Sequence, residues 1–284
     1  LTSDINIVLI VGETARRKNF SLYGYERETN PNLAKVDNLH IIENAISCGT
    51  STKISIPCIF KINENYENTL TTLQRSGANI KWYENNYGGC YLMCNGIETF
   101  ATDHAKCDGS CPDGMIFEKF YEDLKIAKSG INIFVLHQNG SHGPLYYKRY
   151  PKEFAHFIPE CKTANVSDCF MEELVNAYDN SILYTDFLIA ETIKTLQDKG
   201  GKSVMIYASD HGASLGENGI FLHGFPMSIA PKEQIEIPYL IWSSFPIAIK
   251  PQEVYGHKTI MSSILYLLKA ELSETDQNIV LNKL

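Results

Sequence analysis

Three stretches of the sequence place oxygen and imidazole donors directly behind apolar runs. Gly12-Glu13-Thr14-Ala15-Arg16 follows residues 6–11, His137-Gln138-Asn139-Gly140-Ser141-His142-Gly143 follows 131–136, and Ser209-Asp210-His211-Gly212 follows 203–208. Polar residues mark the end of any strand, so one such stretch carries little weight. Three of them, ending in a glutamate, a histidine pair and an Asp-His pair, point to a shared metal site. That mixture of carboxylate and imidazole suits zinc, with manganese as the other candidate. Such a site still needs a nucleophile, and the segment from Ser47 to Cys58 offers the hydroxyls of Thr50, Ser51 and Thr52 between two cysteines. A helix starting near Thr52 would aim its amide dipoles at an anion there. A threonine alkoxide coordinated to zinc is activated by its lowered pKa and could accept a phosphoryl group. The plain reading, in which Ser51 or Thr52 merely caps the helix, stands beside this one.

The remaining histidines divide by context. His142 and His223 lie in glycine-flanked loops near the strand ends, suited to a second metal or to the transferred phosphoryl group. His40, His104 and His156 sit in polar surroundings and read as surface residues, while His257 opens a helix and reads as a structural support. No glycine-rich nucleotide loop and no G-x-S-x-G elbow is present.

These residues need a frame to bring them together. Residues 6–11, 131–136, 203–208 and 237–242 are nearly continuous apolar runs rich in Val and Ile. Such runs mean strands buried on both faces, as in a parallel sheet. Leu174, Tyr178, Ile182, Ile189, Ile193 and Leu196 share one face of a long helix over about 172–198, closed by Gly200-Gly201. Further helices are expected over about 257–269 and 67–76, the latter before a short strand at 79–83. This alternation argues for one α/β domain with a mostly parallel central sheet and helices on both faces. Segments 84–115 and 143–170 read as insertions over one rim, and there is no internal repeat, linker or charge block.

Composition excludes several classes. With 44% hydrophobic and 20% charged residues over 284 positions, the chain is an ordinary globular one, too long to want for a core. Lys and Arg number 25 against 33 Asp and Glu, so the net charge is −8 and phosphate-backbone binding to nucleic acid is disfavoured. No apolar run approaches the roughly 18 residues that a membrane-spanning helix needs. The chain opens at Leu1 and enters a strand almost at once, which reads as a fragment or processed form. Eight cysteines fall in close pairs, Cys48/Cys58, Cys90/Cys94, Cys107/Cys111 and Cys161/Cys169, each in a loop-forming segment. Nearest-neighbour disulfides, and so an oxidising compartment, are the natural expectation. A thiolate zinc cluster is the rival, but only the two four-apart pairs have suitable spacing.

At these residues the sequence resembles the catalytic domain of bacterial phosphoethanolamine transferases, the lipid A-modifying family that includes the colistin-resistance enzymes. The resemblance runs through V-G-E-T-A-R (11–16), S-L-Y-G-Y-E-R-E-T-N-P-N-L (21–33), S-C-G-T-S-T-K-I-S-I-P-C (47–58), H-Q-N-G-S-H-G-P (137–144), A-Y-D-N-S-I-L-Y-T-D (177–186) and S-D-H-G-A-S-L-G-E-N-G-I-F-L-H-G (209–224). It implies an alkaline phosphatase/sulfatase-like fold, with 1–284 as the soluble periplasmic catalytic domain and a membrane domain outside this sequence. It implies that Glu13, Thr52, Asp210 and His211 are zinc ligands and that Thr52 is also the nucleophile. His142 and His223 match histidines that the family places beside the transferred phosphate, sometimes with a second zinc. Asn86 falls near the family's substrate-contacting asparagines, and the four cysteine pairs resemble its disulfides. Two departures stand out: Ala213 replaces the usual Glu after D-H-G, and the loop after Asn85-Asn86 lacks an expected lysine.

The activity implied is transfer of phosphoethanolamine from phosphatidylethanolamine, through a phosphoethanolaminyl-threonine, to lipid A or another envelope acceptor at the periplasmic face of the inner membrane. A metal-dependent phosphatase or a phosphoglycerol transferase of the same superfamily is the nearest alternative. The sulfatase branch lacks its C/S-x-P-x-R motif. A non-catalytic module with a structural zinc is the alternative of another class, and an oxygen-rich site speaks against it.

Overall fold

A computed structural model describes residues 4–62, 67–107, 109–269 and 281–282. In chain order the principal elements are β1 (Ile5–Gly12), β2 (Leu39–Ile41), α1 (Thr52–Phe60), α2 (Thr69–Arg75), β3 (Asn79–Glu84), β4 (Glu98–Ala101), α3 (Gly114–Lys125), β5 (Ile131–His137), α4 (Met171–Lys199), β6 (Ser203–Ser209), β7 (Tyr239–Ser243) and α5 (Lys258–Leu267). The seven strands form one sheet in the order β2-β7-β6-β1-β5-β3-β4. Every pairing from β6 through β4 is parallel, and β7 is antiparallel to both of its neighbours. The 237–242 run was expected among the parallel strands. Its apolar character reports burial on both faces, and burial does not encode strand direction.

Successive side chains of a strand point to opposite faces. On β1, Ile5, Ile7, Leu9 and Val11 enter one apolar layer with α1, α2 and α5. Val8 and Ile10 enter the other, with α3 and α4. Helices covering both faces explain why the central strands have no polar side. The apolar face expected of α4 is fully buried, from Leu174 to Leu196. The 84–115 segment is less of an insertion than expected, since it contains β4 and runs into α3. Helix α3 was not anticipated, although its Ile116, Phe117, Phe120 and Leu124 have helical spacing and are buried.

The cysteines pair as nearest neighbours, Cys48–Cys58, Cys90–Cys94, Cys107–Cys111 and Cys161–Cys169, and none is free. No helix among the described residues is long and apolar enough to cross a membrane.

Candidate active site

Strand register brings the three donor stretches to one edge. Val11 pairs with His137 and Gly12 with Ser209, so β1, β5 and β6 end together, where open α/β sheets collect ligands. Backbone bonds continue past the strands. The Asp210 amide donates to the Gly12 carbonyl at 2.8 Å, that of Gln138 to Val11 at 3.0 Å, and that of Ser141 to Glu13 at 2.9 Å.

The hydroxyl loop meets this edge from the side. Thr52 is the first residue of α1, and Ser51 at the cap is extended with no side-chain capping bond, so the plain capping role of Ser51 is not realised. Thr52 Oγ1 donates to Glu13 Oε2 at 3.0 Å and lies 3.4 Å from His211 Nε2. The Cys48–Cys58 bridge and a bond from Ser47 Oγ to the Gly49 carbonyl hold the loop. His257, fully buried, ties it to the sheet: its Nδ1 accepts from the Cys48 amide at 3.3 Å and its Nε2 donates to the Ser209 carbonyl at 2.8 Å. Thr50 binds residues 224–225 through both its carbonyl and its hydroxyl. That docking sets the His223 ring 4.3 Å from His211 and 5.4 Å from His142, centroid to centroid.

The result is a dry cluster of donors. Glu13, Asp210 and His211 are wholly buried, and Thr52 nearly so. His211 Nε2 lies 3.3 Å from both Glu13 Oε1 and Asp210 Oδ2. Its Nδ1 donates to the Gly212 carbonyl at 2.8 Å, which leaves Nε2 as the atom aimed at the cluster. Donor atoms of Glu13, His211 and His223 lie within 4.8 Å of one another. Asp210 Oδ2 and His223 Nδ1 are buried and have no hydrogen-bond partner. Converging oxygen and nitrogen atoms with orphaned lone pairs fit a divalent cation such as zinc.

Charge tells the same story. Burial alone would raise Glu13, but the His211 imidazole beside it holds the carboxyl well below its ordinary range. Burial, and then repulsion from Glu13, pushes Asp210 up to about 7. Burial opposes the charged form of His211, yet Asp210 and Glu13 outweigh it and lift the imidazole to about 9. Burial lowers His142, and it lowers His223 to about 4 with help from His211. Two carboxylates thus share one water-poor pocket that a cation would relieve.

Asn86 sits beside these groups, its Nδ2 donating to Glu13 Oε2 at 2.5 Å and to the Gln138 carbonyl at 3.1 Å. Several supports escaped the sequence reading. Glu84 accepts from the Asn86 amide, the Trp82 indole and His137 Nδ1, forming a buried pair with that histidine. Asp113, also buried, accepts from the amides of Asn139 and Gly140 and so shapes the turn before His142. Glu84 and Asp113 stand in no motif, and only the folded chain brings them here. His104 is not a plain surface residue: its ring stacks on Tyr87 at 4.0 Å, and its nitrogens bind the Asn85 carbonyl and the Cys111 amide. Ala213 is buried among apolar side chains, and Arg16 pairs with Glu217 at 2.8 Å.

Comparison with known proteins agrees with this geometry. The family model described as Sulfatase matches residues 5–270. Phosphoethanolamine transferase EptA of Escherichia coli K12 is 42% identical over 254 residues, covering 84% of this chain and 46% of the relative. Phosphatidylethanolamine transferase Mcr-1 of Escherichia coli is 40% identical over 288 residues, covering 92% and 53%. The chain therefore spans about half the length of these relatives. The crystal structure of the C-terminal periplasmic domain of phosphoethanolamine transferase EptC from Campylobacter jejuni superposes with a TM-score of 0.87 at 39% identity, over 96% of this chain and 91% of that one. With the matched region running from β1 through α5 and the donor cluster at its centre, the chain belongs to the Sulfatase family and, within it, to the phosphoethanolamine transferases.

Proposed function

We propose that this chain catalyses zinc-dependent transfer of phosphoethanolamine with Thr52 as the nucleophile. The observation that carries the reading is the Thr52 hydroxyl, which opens a helix inside a buried set of oxygen and nitrogen donors. Glu13, Thr52, Asp210 and His211 would hold the ion. Zinc there would lower the pKa of the hydroxyl and draw electrons from a phosphoryl oxygen. The donor in this reading is phosphatidylethanolamine, the lipid named for the Mcr-1 relative. Thr52 Oγ1 attacks the phosphorus, the bond from phosphorus to the glycerol oxygen breaks, and that oxygen leaves with a proton as diacylglycerol. An acceptor oxygen, on lipid A or another envelope molecule, then attacks the phosphoethanolaminyl-threonine. The ester to Thr52 breaks and its hydroxyl is restored.

The supporting groups have definite parts. The Ile54 amide in the first turn of α1 donates to the Ser51 carbonyl at 3.0 Å, and the Thr52 and Lys53 amides ahead of it would face the transferring phosphoryl group. Burial, with His211 nearby, depresses the His223 imidazole to about 4, which favours a hydrogen-bonding imidazole over a fixed cation as the approaching group's partner. His142, with its ring 5.4 Å from that of His223, and Asn86, bonded to Glu13, would contact the transferred group alongside it. The reaction belongs at the periplasmic face of the inner membrane, with this chain as the catalytic domain and membrane attachment assigned to a domain outside this sequence.

Denaturing intact-mass spectrometry after incubation with phosphatidylethanolamine tests the reading. A phosphoethanolamine adduct is expected, mapped to Thr52, and absent after zinc chelation. An adduct on any other residue would overturn the assignment.

A further inference from the structure

Among the described residues with positive φ, Thr14 is the one β-branched side chain, at φ 57°. A β-branched residue in the left-handed region is a steric outlier, kept only where surrounding contacts over-determine it. Every polar group of Thr14 is so used. Its amide donates to Asp210 Oδ1 at 3.1 Å, and its hydroxyl donates to Glu13 Oε1. Its carbonyl accepts from the Tyr178 hydroxyl at 2.7 Å, and that same hydroxyl accepts from the Arg16 amide at 2.9 Å. Tyr178 belongs to the 177–186 motif, whose neighbours also brace this edge, Ser181 donating to the Ser141 hydroxyl at 2.8 Å.

The consequence lies in which oxygens remain. With the Thr14 and His211 amides both on Oδ1, Asp210 presents Oδ2 to the cluster with no hydrogen bond, 3.3 Å from His211 Nε2. With the Thr14 hydroxyl on Oε1, Glu13 is turned so that Oε2 meets Thr52. One residue thus orients carboxylates from two different strand ends, and it does so from the left-handed conformation. We propose that Thr14, clamped by Tyr178 from α4, is a positioning residue that aims Glu13 and Asp210 at the metal before the metal arrives. This rests on the reading of those carboxylates as zinc ligands.

The strain gives the idea a signature that a purely structural threonine lacks. Thr14→Gly relieves the left-handed conformation and keeps the amide but removes the hydroxyl. Its metal-free melting temperature is expected to equal or exceed that of the wild type. Its zinc dissociation constant, read by competition with a chromophoric chelator, is expected to rise about tenfold to a hundredfold. Thr14→Ser keeps both donors and should bind zinc within about threefold of wild type, whereas Tyr178→Phe, losing the clamp, should weaken binding about tenfold. Wild-type zinc affinity in Thr14→Gly, or a loss in Thr14→Ser equal to that in Thr14→Gly, would overturn the inference. A wild-type chain that takes up no zinc would instead overturn the ligand reading beneath it.

Discussion

Thr52→Ala deletes one hydroxyl and one methyl group in a site held by many other bonds, so chemistry and stability should separate cleanly. Thr52→Ala is expected to lose transfer by a thousandfold or more, on the order seen when a nucleophile is removed, with stability changed by only about 1 kcal/mol. Turnover of a p-nitrophenyl phosphoethanolamine analogue, beside thermal melting, checks both halves. Gly212 gives the opposite pattern. A Cβ there would stand 2.0 Å from the Glu233 carbonyl oxygen, while the Gly212 amide binds the Gln234 carbonyl. Backbone cannot swing aside as a side chain does. Gly212→Ala should therefore cost about 1–3 kcal/mol and displace His211 with it, visible as a lowered melting temperature together with weakened zinc uptake.

At the scale of elements, the hinge between loop and sheet is His257, at the start of α5. Its two ring nitrogens are committed to Cys48 and Ser209, and burial, with His211 nearby, depresses its pKa to about 4. The unfolded chain binds this proton near pH 6.5 and the folded one only near 4. Stability from His257 is thus fully present above pH 6.5 and is lost as pH falls toward 4, by about 3 kcal/mol in all. Asp210, raised to about 7, works in the opposite direction over the same range, so the signature is a difference between chains: the urea midpoint of the wild type, taken relative to that of His257→Gln, should fall between pH 7 and 4. The Cys48–Cys58 bridge restrains the same loop. Replacing both cysteines with serine is expected to cost about 2–4 kcal/mol, with a larger proportional loss of transfer than of folded protein, since Thr52 lies inside the closed loop.

The whole molecule carries a net charge of −8, and the sheet edge that holds the candidate site buries two carboxylates together. Both features predict how it meets ions and surfaces. A bound divalent cation stabilises the folded state by mass action, about 4 kcal/mol when present at a thousandfold over its dissociation constant. Melting should therefore rise with added zinc and fall with a chelator, and the change should be lost in Asp210→Asn. An anionic surface repels a chain of this charge at low ionic strength. Co-sedimentation with vesicles of phosphatidylethanolamine and an anionic lipid should leave the isolated chain in solution.

Much of this was legible in the sequence, for reasons that are local. Continuous Val and Ile runs announced the buried strands, the 3.6-residue spacing from Leu174 to Leu196 announced α4, and close cysteine spacing announced the four bridges. A glycine or a change from apolar to polar at an element's end drew attention to Glu13, to Asp210 and His211 and to the hydroxyls of Thr50 to Thr52, while the choice of Glu13, Thr52, Asp210 and His211 as one set came from the family resemblance. Other features depended on partners distant in the chain. The antiparallel direction of β7 is set by which strand it pairs with, and its own residues record burial alone. Asp113 and Glu84 became supports of the site only when folding carried them to Asn139 and His137, 26 and 53 residues away. The left-handed Thr14 is the sharpest case. Nothing in its type favours that conformation, and it persists because Asp210, 196 residues along the chain, and Tyr178, 164 residues along, hold both of its ends.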